Sequence, residues 1–400
     1  MYEQASSVGG LWVYTESVGK DENGLHVHSS MYKNLKANLP KELMAFPDFS
    51  FPDSKDASFL HHSEVLEYLE NYKRHFHLEK FIKLNTVVSK VNPIVCESNT
   101  QWEVTTKCLQ TGECEANFFD YVMVCNGHYS TPVIPTIPGI DKFDGSLIHS
   151  HDYRTPEQYL GETVLILGGG ASGKDICIEL SQFAAQVYLS HNNPLLTTRL
   201  PTNVAQVKGV ESCIGPGLFL LTDGSKLQCT AVILATGYDY TFPFLSEDCK
   251  IKVENKRVQA LYKHLLSIEY PTLCFIGIPY FWIPFPQFDL QIRYFVKLMT
   301  GQVKQPTKAE MYADTQREME WKKYNLDIPE KYFHKMGALQ WKYNKEIAEL
   351  GSLEPIPKEM EKLFNTVLER KKADLIDYRK DTYSQVGPHD YSVNIFIPEK

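Results

Sequence analysis

The sequence predicts an α/β fold in three layers, made of two related units with a helical C-terminal cover. One observation is a buried strand that leads into a glycine-rich turn and an amphipathic helix near the middle of the chain. The other is a layout of strand, helix and small antiparallel meander that occurs twice, the first copy without its first strand and helix. Alternating strands and helices are typical of parallel sheets covered by helices. Both units are therefore predicted to be Rossmann-like and to bind dinucleotides.

The glycine-rich turn follows an uninterrupted apolar run at residues 164–167, which is typical of a strand buried on both faces. Gly168, Gly170 and Gly173 then fit the spacing G-x-G-x-x-G. The first glycine allows a tight turn, the second lets the backbone approach a pyrophosphate, and the third lets the helix pack closely on the strand. The start of the helix adds free N–H groups and a positive dipole end. The stretch predicts a dinucleotide site, although such turns also join strands to helices for structural reasons alone.

The end of the next strand indicates which dinucleotide binds. An acidic residue about 20 positions after the glycines would bind the ribose 2′-hydroxyl of NADH. Residues 186–193 contain no acid, and Ser190 and His191 at the strand tip carry no charge that repels a 2′-phosphate. The nearest fixed positive charge is Arg199. These residues favour NADPH over NADH, unless Ser190 and His191 are only polar loop residues.

Composition narrows the class of protein. A chain of 400 residues is long enough for two domains, and its net charge of −8 gives no basic face for nucleic acid. The nine cysteines include no C-x-x-C pair, and the histidines lack zinc spacing, so a reducing compartment and no metal site are expected. No signal-like start and no apolar run of about 18 residues occur. We expect a cytoplasmic protein without a transmembrane segment, unless residues upstream carry a signal.

The beginning of the chain predicts a second nucleotide site. Glu3 stands shortly before Gly10, Leu11 and Trp12. An acid in this position is typical of the end of the second strand of a Rossmann unit, where it binds the adenosine ribose. A glycine fingerprint is expected about 20 residues earlier, before the first printed residue. Taken alone, without the rest of the chain, Glu3 is better explained as a solvated terminal acid.

The remaining elements follow from periodicity and turn residues. Ser63 is expected to cap a helix with an apolar face at Val65 and Leu69. Glycine turns at 111–112 and 223–224 are typical of antiparallel hairpins. Strands are predicted at residues 87–91, 102–108, 118–124, 205–210, 218–222 and 231–234, and helices around 292–299, 308–324 and 358–380.

The linker between the two units carries Phe143, Gly145, His149 and Tyr153 in the order Phe-x-Gly-x-x-x-His-x-x-x-Tyr. This order resembles the fingerprint of class B flavin-containing monooxygenases, whose Baeyer–Villiger relatives usually have tryptophan in the last place. His149 either takes part in the chemistry or only orients the two domains. We predict an FAD-binding domain of residues 1–155 and 246–400, and an NADPH-binding domain of residues 156–245.

Further motifs extend this resemblance from Glu3 to about Gln291. They are the Gly-Gly-Leu-Trp turn, the Asn-Leu-Pro loop, the NADPH glycine turn and Ala-Thr-Gly-Tyr-x-x-x-Phe-Pro-Phe. The chain is similar to a flavin-containing monooxygenase of the soluble, insect- or plant-like kind. The resemblance implies that NADPH reduces FAD, that reduced flavin captures O2 as a C4a-hydroperoxide, and that one oxygen passes to nitrogen or sulfur of a small nucleophilic substrate. In such a protein the chain supplies orientation and exclusion of water.

The resemblance also implies roles for individual residues. Asn38 would be the catalytic residue, beside flavin and nicotinamide. The implied FAD contacts are Glu3, Gly10, Leu11, Trp12, Ala37, Asn38, Leu39, Val88 and Gln291. The implied NADP(H) contacts are Gly168, Gly170, Ser172, Gly173, Lys174 and Asp175, together with Ser190, His191 and Arg199.

Two alternatives stay open. Because the first glycine fingerprint does not occur in residues 1–400, the chain is expected to bind FAD poorly. It would then be a truncated, non-catalytic relative that binds NADP(H) or a partner but little FAD. The second alternative is a Baeyer–Villiger monooxygenase, which Tyr153 argues against. A homodimer is compatible with the sequence, and the residues do not identify the substrate.

Overall fold

The computed structural model describes residues 1–52, 56–96, 99–386 and 390–397 of the chain. The helices in these ranges are α1 (His62–His75), α2 (Ala171–Leu180), α3 (Pro284–Met299), α4 (Lys308–Leu326), α5 (Leu339–Gly351) and α6 (Lys358–Ala373). The strands are β1 (Thr86–Cys96), β2 (Asn99–Cys108), β3 (Cys114–Phe119), β4 (Val122–Val124), β5 (Thr131–Pro132), β6 (Ser146–His149), β7 (Thr163–Leu167), β8 (Gln186–Ser190), β9 (Val204–Val207), β10 (Val210–Gly215), β11 (Leu218–Leu221), β12 (Lys226–Gln228), β13 (Ala231–Leu234), β14 (Tyr238–Asp239), β15 (Val253–Glu254), β16 (Arg257–Val258), β17 (Leu261–Tyr262), β18 (Leu266–Ser267), β19 (Leu273–Phe275), β20 (Thr382–Gln385) and β21 (Tyr391–Asn394).

A parallel five-stranded sheet forms the centre of the second unit. Its order is β6-β13-β7-β8-β9, and every neighbouring pair is parallel. In β7 the four residues 164–167 are buried, which confirms the strand predicted from the apolar run. β6 belongs to this sheet although it precedes the predicted domain boundary at residue 155. The division of the chain into two domains stays a prediction.

Both faces of this sheet are covered. On one face, Ile176 and Leu180 of α2 share a buried cluster with Val164 and Ile166 of β7. On the other face, Leu165 belongs to a cluster with side chains of the meander β10-β11-β12. Burying one aliphatic side chain of this size contributes roughly 1.5–3 kcal/mol. The three-layer arrangement thus follows from apolar residues spaced four apart in α2.

The first unit contains a meander and a small mixed sheet. β1, β2 and β3 form an antiparallel meander, and a four-stranded sheet has the order β17-β18-β19-β4, with β19 and β4 parallel. The start of the chain forms a parallel bridge between Tyr2 and Lys83. In it the Glu3 N–H donates to the Lys83 carbonyl at 2.9 Å. Glu3 therefore lies at the end of a strand-like segment, and the α/β fold class is confirmed.

Several element boundaries differ from the prediction. The cap of α1 is His61 rather than Ser63, because the His61 ring accepts from the Ser63 N–H and Glu64 bonds back to the His61 N–H at 2.9 Å. α3 begins at Pro284, since a proline in the first turn loses no helical hydrogen bond. α5 is a helix that the pattern did not predict. No helix within the described ranges is long and apolar enough to cross a membrane.

Glu179 on the outer face of α2 holds the linker in place. Its carboxylate accepts hydrogen bonds from the Tyr153 hydroxyl at 2.7 Å and from the Asn34 amide at 2.8 Å. Tyr153 is completely buried. Burial and the neighbouring Glu179 raise the pKa of Tyr153 well above its usual value, so the hydroxyl remains a donor. The last residue of the linker fingerprint is therefore tied to α2.

We predict that Tyr153→Phe lowers the free energy of unfolding by about 1–3 kcal/mol, because the Glu179 carboxylate loses a buried donor. Urea denaturation followed by fluorescence measures the loss. Tyr188→Phe is the matched control: Tyr188 is half-buried, and its hydroxyl has no hydrogen-bond partner in the described part of the chain. The control is expected to change stability by less than about 0.5 kcal/mol. Equal losses in the two variants would contradict the role of the Tyr153 hydroxyl.

Candidate functional site

The turn between β7 and α2 requires glycine at two positions. Gly168 has a φ of +120°, and a Cβ there would lie 2.2 Å from the Ala235 carbonyl oxygen. A Cβ on Gly173 would lie 1.8 Å from the Gly168 carbonyl oxygen. At Gly170, by contrast, no atom beyond the two neighbouring residues of the chain lies within 4 Å of that position among the described residues. This open space beside the start of α2 fits a pyrophosphate, because the first N–H groups of a helix have no acceptor within it.

Two glycine variants separate packing from binding. Gly173→Ala is expected to destabilise the fold by several kcal/mol or to prevent folding, since its Cβ collides with backbone. Gly170→Ala is expected to leave the unfolding free energy within about 1 kcal/mol, yet to weaken NADP+ binding at least about tenfold, because the new methyl fills the open space. Urea denaturation and NADP+ titration measure the two effects. Native NADP+ affinity in Gly170→Ala would contradict this placement of the pyrophosphate.

The polar residues at the tip of β8 have partners inside the protein. Ser190 is buried, and its hydroxyl donates to the Lys208 carbonyl at 2.8 Å. The buried His191 ring lies 3.2 Å from the Asn193 carbonyl and 3.2 Å from the Gln206 side chain. A 2′-phosphate would have to replace these bonds. Binding of NADP(H) by Ser190 and His191 therefore stays a prediction.

Arg199 also has partners. It pairs with Asp377 at 2.7 Å and lies 3.9 Å from Asp374. Both carboxylates belong to residues 373–381, which we call the C-terminal segment. The charge that favoured NADPH over NADH is therefore balanced by acids that are distant in sequence, and the contact of Arg199 with the cofactor stays a prediction.

The first turns of α2 bring further predicted residues together. Ser172 and Lys174 are half-buried there. Asp175 accepts a hydrogen bond from the Tyr32 hydroxyl and forms an ion pair with Arg379. Burial and the Asp175 carboxylate raise the pKa of Tyr32 well above its usual value, so its hydroxyl stays protonated. The Asp175 side chain is thus bound by other parts of the protein.

The loop that carries Asn38 is held in place by hydrogen bonds of the preceding residue, Ala37. The buried Ala37 donates its N–H to the Leu60 carbonyl at 2.8 Å, and its own carbonyl accepts from Arg379 Nε at 3.1 Å. Leu39 is half-buried, whereas Asn38 is exposed. Within the ranges that the structure describes, the Asn38 amide has no hydrogen-bond partner. Its donor and acceptor groups are therefore available to a ligand.

Arg379 joins the Asn38 loop to α2, because one guanidinium group contacts both the Ala37 carbonyl and the Asp175 carboxylate. The Asn38 loop and the glycine turn, distant in sequence, therefore lie near each other. The sequence analysis missed Arg379. The residue lies among mixed charges that indicate only a solvated surface, and no motif distinguishes it from its neighbours.

The residues predicted to contact the FAD adenosine lie near the start of the chain. Glu3 accepts from the Ala5 N–H at 2.8 Å, and burial raises the pKa of its carboxyl group. Gly10–Trp12 form a short 3-10 turn, in which Gly10 has a φ of +49°. A carboxylate deprived of water would gain hydrogen bonds from ribose hydroxyls. These residues fit the adenosine side of FAD, and their contacts with it stay predictions.

Two other predicted FAD contacts, Val88 and Gln291, lie in other parts of the chain. Val88 is half-buried in β1, beside an irregularity in the pairing with β2. Gln291 is completely buried, accepts from the Gly277 N–H at 3.0 Å and donates to the Tyr343 hydroxyl at 2.7 Å. Both ends of its amide therefore have a partner inside the protein. The contacts of Gln291 and Val88 with FAD stay predictions.

The linker fingerprint has packing roles at its first two positions. Phe143 packs against Phe219, with ring centroids 5.3 Å apart. A Cβ on Gly145 would lie 2.1 Å from the Thr230 carbonyl oxygen, so no larger residue fits beside β13. These contacts fix the path of the linker along the sheet.

His149 is buried at the end of β6. Its Nδ1 accepts from the His151 N–H at 3.0 Å, and its ring lies 5.3 Å from the Tyr238 ring. Burial lowers the pKa of His149 to about 4, and loss of hydration lowers that of the half-buried His128 to about 4 as well. A neutral, packed His149 suits an orienting role, while a part in the chemistry stays the alternative. The described residues form no group of histidine, cysteine and acidic side chains that could hold a metal ion.

These two histidines make stability depend on pH. In the unfolded chain a histidine has a pKa of about 6.5, so below that pH the unfolded state binds more protons than the folded state. Stability is therefore complete above pH 6.5 and falls on acidification towards pH 4, on the order of 1 kcal/mol per histidine and pH unit. Urea unfolding at pH 7.5 and 5.5 measures the slope. His149→Gln should reduce it, and the exposed His75→Gln should not; equal slopes in all three proteins would contradict the assignment.

The fold and the site together define a protein with a Rossmann-like sheet and a glycine turn that is suited to a dinucleotide. A family model described as Flavin-binding monooxygenase-like matches residues 1–198 and 203–364. The chain belongs to this family, whose members use FAD and NADPH. The predicted family and cofactors are thereby confirmed. The match ends before the C-terminal segment.

Individual relatives agree with this assignment. Flavin-containing monooxygenase FMO GS-OX5 of Arabidopsis thaliana is 36% identical over 366 residues, which cover 87% of this chain and 78% of that protein. S-allyl-L-cysteine S-oxygenase from Allium sativum superposes with a TM-score of 0.87 at 32% identity, covering 94% of this chain and 88% of that one. Tmm from Pelagibacter sp. strain HTCC7211 gives a TM-score of 0.85 at 28% identity, covering 96% and 86%. The relatedness extends over almost the whole chain.

Proposed function

We propose that the protein is an NADPH- and FAD-dependent monooxygenase that transfers one oxygen atom of O2 to a nucleophilic sulfur or nitrogen of a small organic molecule. Sulfur is favoured, because one structural relative is an S-oxygenase. The balanced reaction of a thioether consumes O2, NADPH and one proton and yields a sulfoxide, NADP+ and water. NADPH supplies the two electrons that reduce the second oxygen atom.

The observation that carries the proposal is the position of Asn38. Its amide is exposed and unbonded among the described residues, and Arg379 joins the neighbouring Ala37 to α2. A polar group with both donor and acceptor next to the nucleotide turn is suited to orient a reacting oxygen. This arrangement supports the role that the resemblance implies for Asn38.

The other residues of the site bind and orient. The Gly168 turn and the first N–H groups of α2 would bind the NADP(H) phosphates. Glu3 would bind the FAD ribose through its carboxylate. The buried Ala37 would keep water from the inner side of the loop. FAD, when bound, supplies the redox chemistry that activates O2.

Replacing Asn38 tests the proposed function. With FAD, NADPH and a simple aryl methyl thioether, we expect a sulfoxide whose new oxygen comes from 18O2. Asn38→Ala is expected to lower the sulfoxide formed per NADPH at least about tenfold, with the missing oxygen released as hydrogen peroxide, because one orienting group is lost. Asn23→Ala, in an exposed turn, is the matched control and should retain the native yield.

The same assay decides between the proposal and its alternatives. Faster turnover of a cyclic ketone to a lactone than of the thioether would support a Baeyer–Villiger monooxygenase. Binding of NADP+ without flavin absorbance or product would support a non-catalytic relative. Native coupling of NADPH to sulfoxide in Asn38→Ala would refute the role of Asn38.

A further inference from the structure

We infer that Arg379 is the counter-charge that allows the start of α2 to bind an anionic dinucleotide despite the Asp175 carboxylate. Arg379 is thus a positioning residue for NADP(H), supplied by the C-terminal segment. The inference rests on the use of NADP(H) by the family and not on the oxygenated substrate.

The reason for a counter-charge is the place of Asp175. It lies four residues after the first residue of α2, about 6 Å along the helix axis at 1.5 Å per residue. A dinucleotide pyrophosphate at the start of this helix carries negative charge, and an unbalanced carboxylate at this distance would repel it. Such a separation is shorter than the screening length of physiological salt, about 8 Å. Asp175 would therefore weaken the site that the glycine turn forms.

Arg379 removes this charge. Its guanidinium pairs with the Asp175 carboxylate, and the two side chains are only 21% and 19% exposed, so solvent screens the pair incompletely. The Tyr32 hydroxyl, which also binds Asp175, is neutral and cannot balance the carboxylate. The pKa of Arg379 is raised by Asp175 against the cost of its burial, so the guanidinium group stays charged.

With Asp175 balanced, the surroundings of the turn are positive. Lys174 lies in the first turn of α2. Lys371 of α6 lies close enough to Lys174 for the two charges to interact. Burial lowers the pKa of Lys371 to about 8, and the positive charges of Arg379 and Lys174 contribute. Glu179, the next acid on α2, is bonded to Tyr153 and Asn34 one turn further from the site.

Arg379 is held in place by the rest of the C-terminal segment. Asp377 pairs with Arg199, and the Thr198 hydroxyl donates to the Ala373 carbonyl at 3.2 Å. Asp381 binds Arg370 of α6 through two bonds, the shorter 2.6 Å long. The segment lies beyond residue 364, where the match to the family model ends. This counter-charge is therefore a contribution of residues that the family model does not cover.

The test is NADP+ affinity of the full chain, measured by isothermal titration at low and at high salt. Arg379→Gln is expected to weaken NADP+ binding about tenfold at 50 mM NaCl, and less at 500 mM, because salt screens the unbalanced Asp175 carboxylate. Adding Asp175→Asn to Arg379→Gln should restore affinity to within about threefold of native. Arg379→Lys, which keeps the charge but not both contacts of the guanidinium group, should lose less affinity than Arg379→Gln.

The matched control is Arg370→Gln. It breaks a buried ion pair of the same segment, with Arg370 18% and Asp381 0% exposed, without changing the charge at Asp175. It should lower the melting temperature but leave NADP+ affinity within about twofold. Asp175→Asn alone should bind NADP+ at least as tightly as native, which keeps the test valid if Arg379→Gln does not fold.

Four results would overturn the inference: native affinity in Arg379→Gln, failure of Asp175→Asn to restore it, an equal loss in Arg370→Gln, or weaker binding in Asp175→Asn alone. All are read from binding without turnover. A failed oxygenation assay would therefore leave this inference standing, and a failed binding test would leave the oxygenation proposal standing.

Discussion

The arrangement of the segments around α2 depends on two carboxylates that lie one turn apart on the outer face of this helix. Glu179 holds Tyr153 of the linker and Asn34, and Asp175 holds Tyr32 and Arg379. α2 also begins at the glycine turn, so the helix that we propose to face the dinucleotide is also the one that anchors its surroundings. A buried ion pair of this kind costs desolvation energy and is weak evidence for stability. Its geometric effect is clearer, because it fixes which segments meet at one helix.

This anchoring is compatible with a cofactor-driven reaction, since the described residues form no metal-binding group. The family supplies its reactive chemistry through FAD and NADPH, and the protein has to hold two nucleotides in a fixed relation. In this chain, the Asn38 loop, the linker and the C-terminal segment all contact α2, and we propose that these contacts set that relation. The segment contributes both a guanidinium group and the acids that bind Arg199.

Local patterns predicted the elements that local forces determine. The apolar run of β7, the glycines after it and the apolar spacing of α2 are all present, since each depends on neighbours within one turn. Predictions failed where the partner is distant. The bonds that Gln291 makes to Gly277 and Tyr343 were not predicted, and its contact with FAD stays a prediction. α5 was missed because its buried face packs on α3, which the sequence pattern alone does not reveal.

The sequence by itself determined the fold class, the family and the glycine turn, because short-range sterics and hydrophobic spacing are written along the chain. Tertiary structure alone decided which charges balance each other. Asp175 and Arg379 are far apart in the chain, and only the folding of the C-terminal segment onto α2 brings their opposite charges into contact. The interaction between two charges depends on their distance in space and on the exclusion of water around them. Neither quantity can be read from the positions of the two residues along the chain.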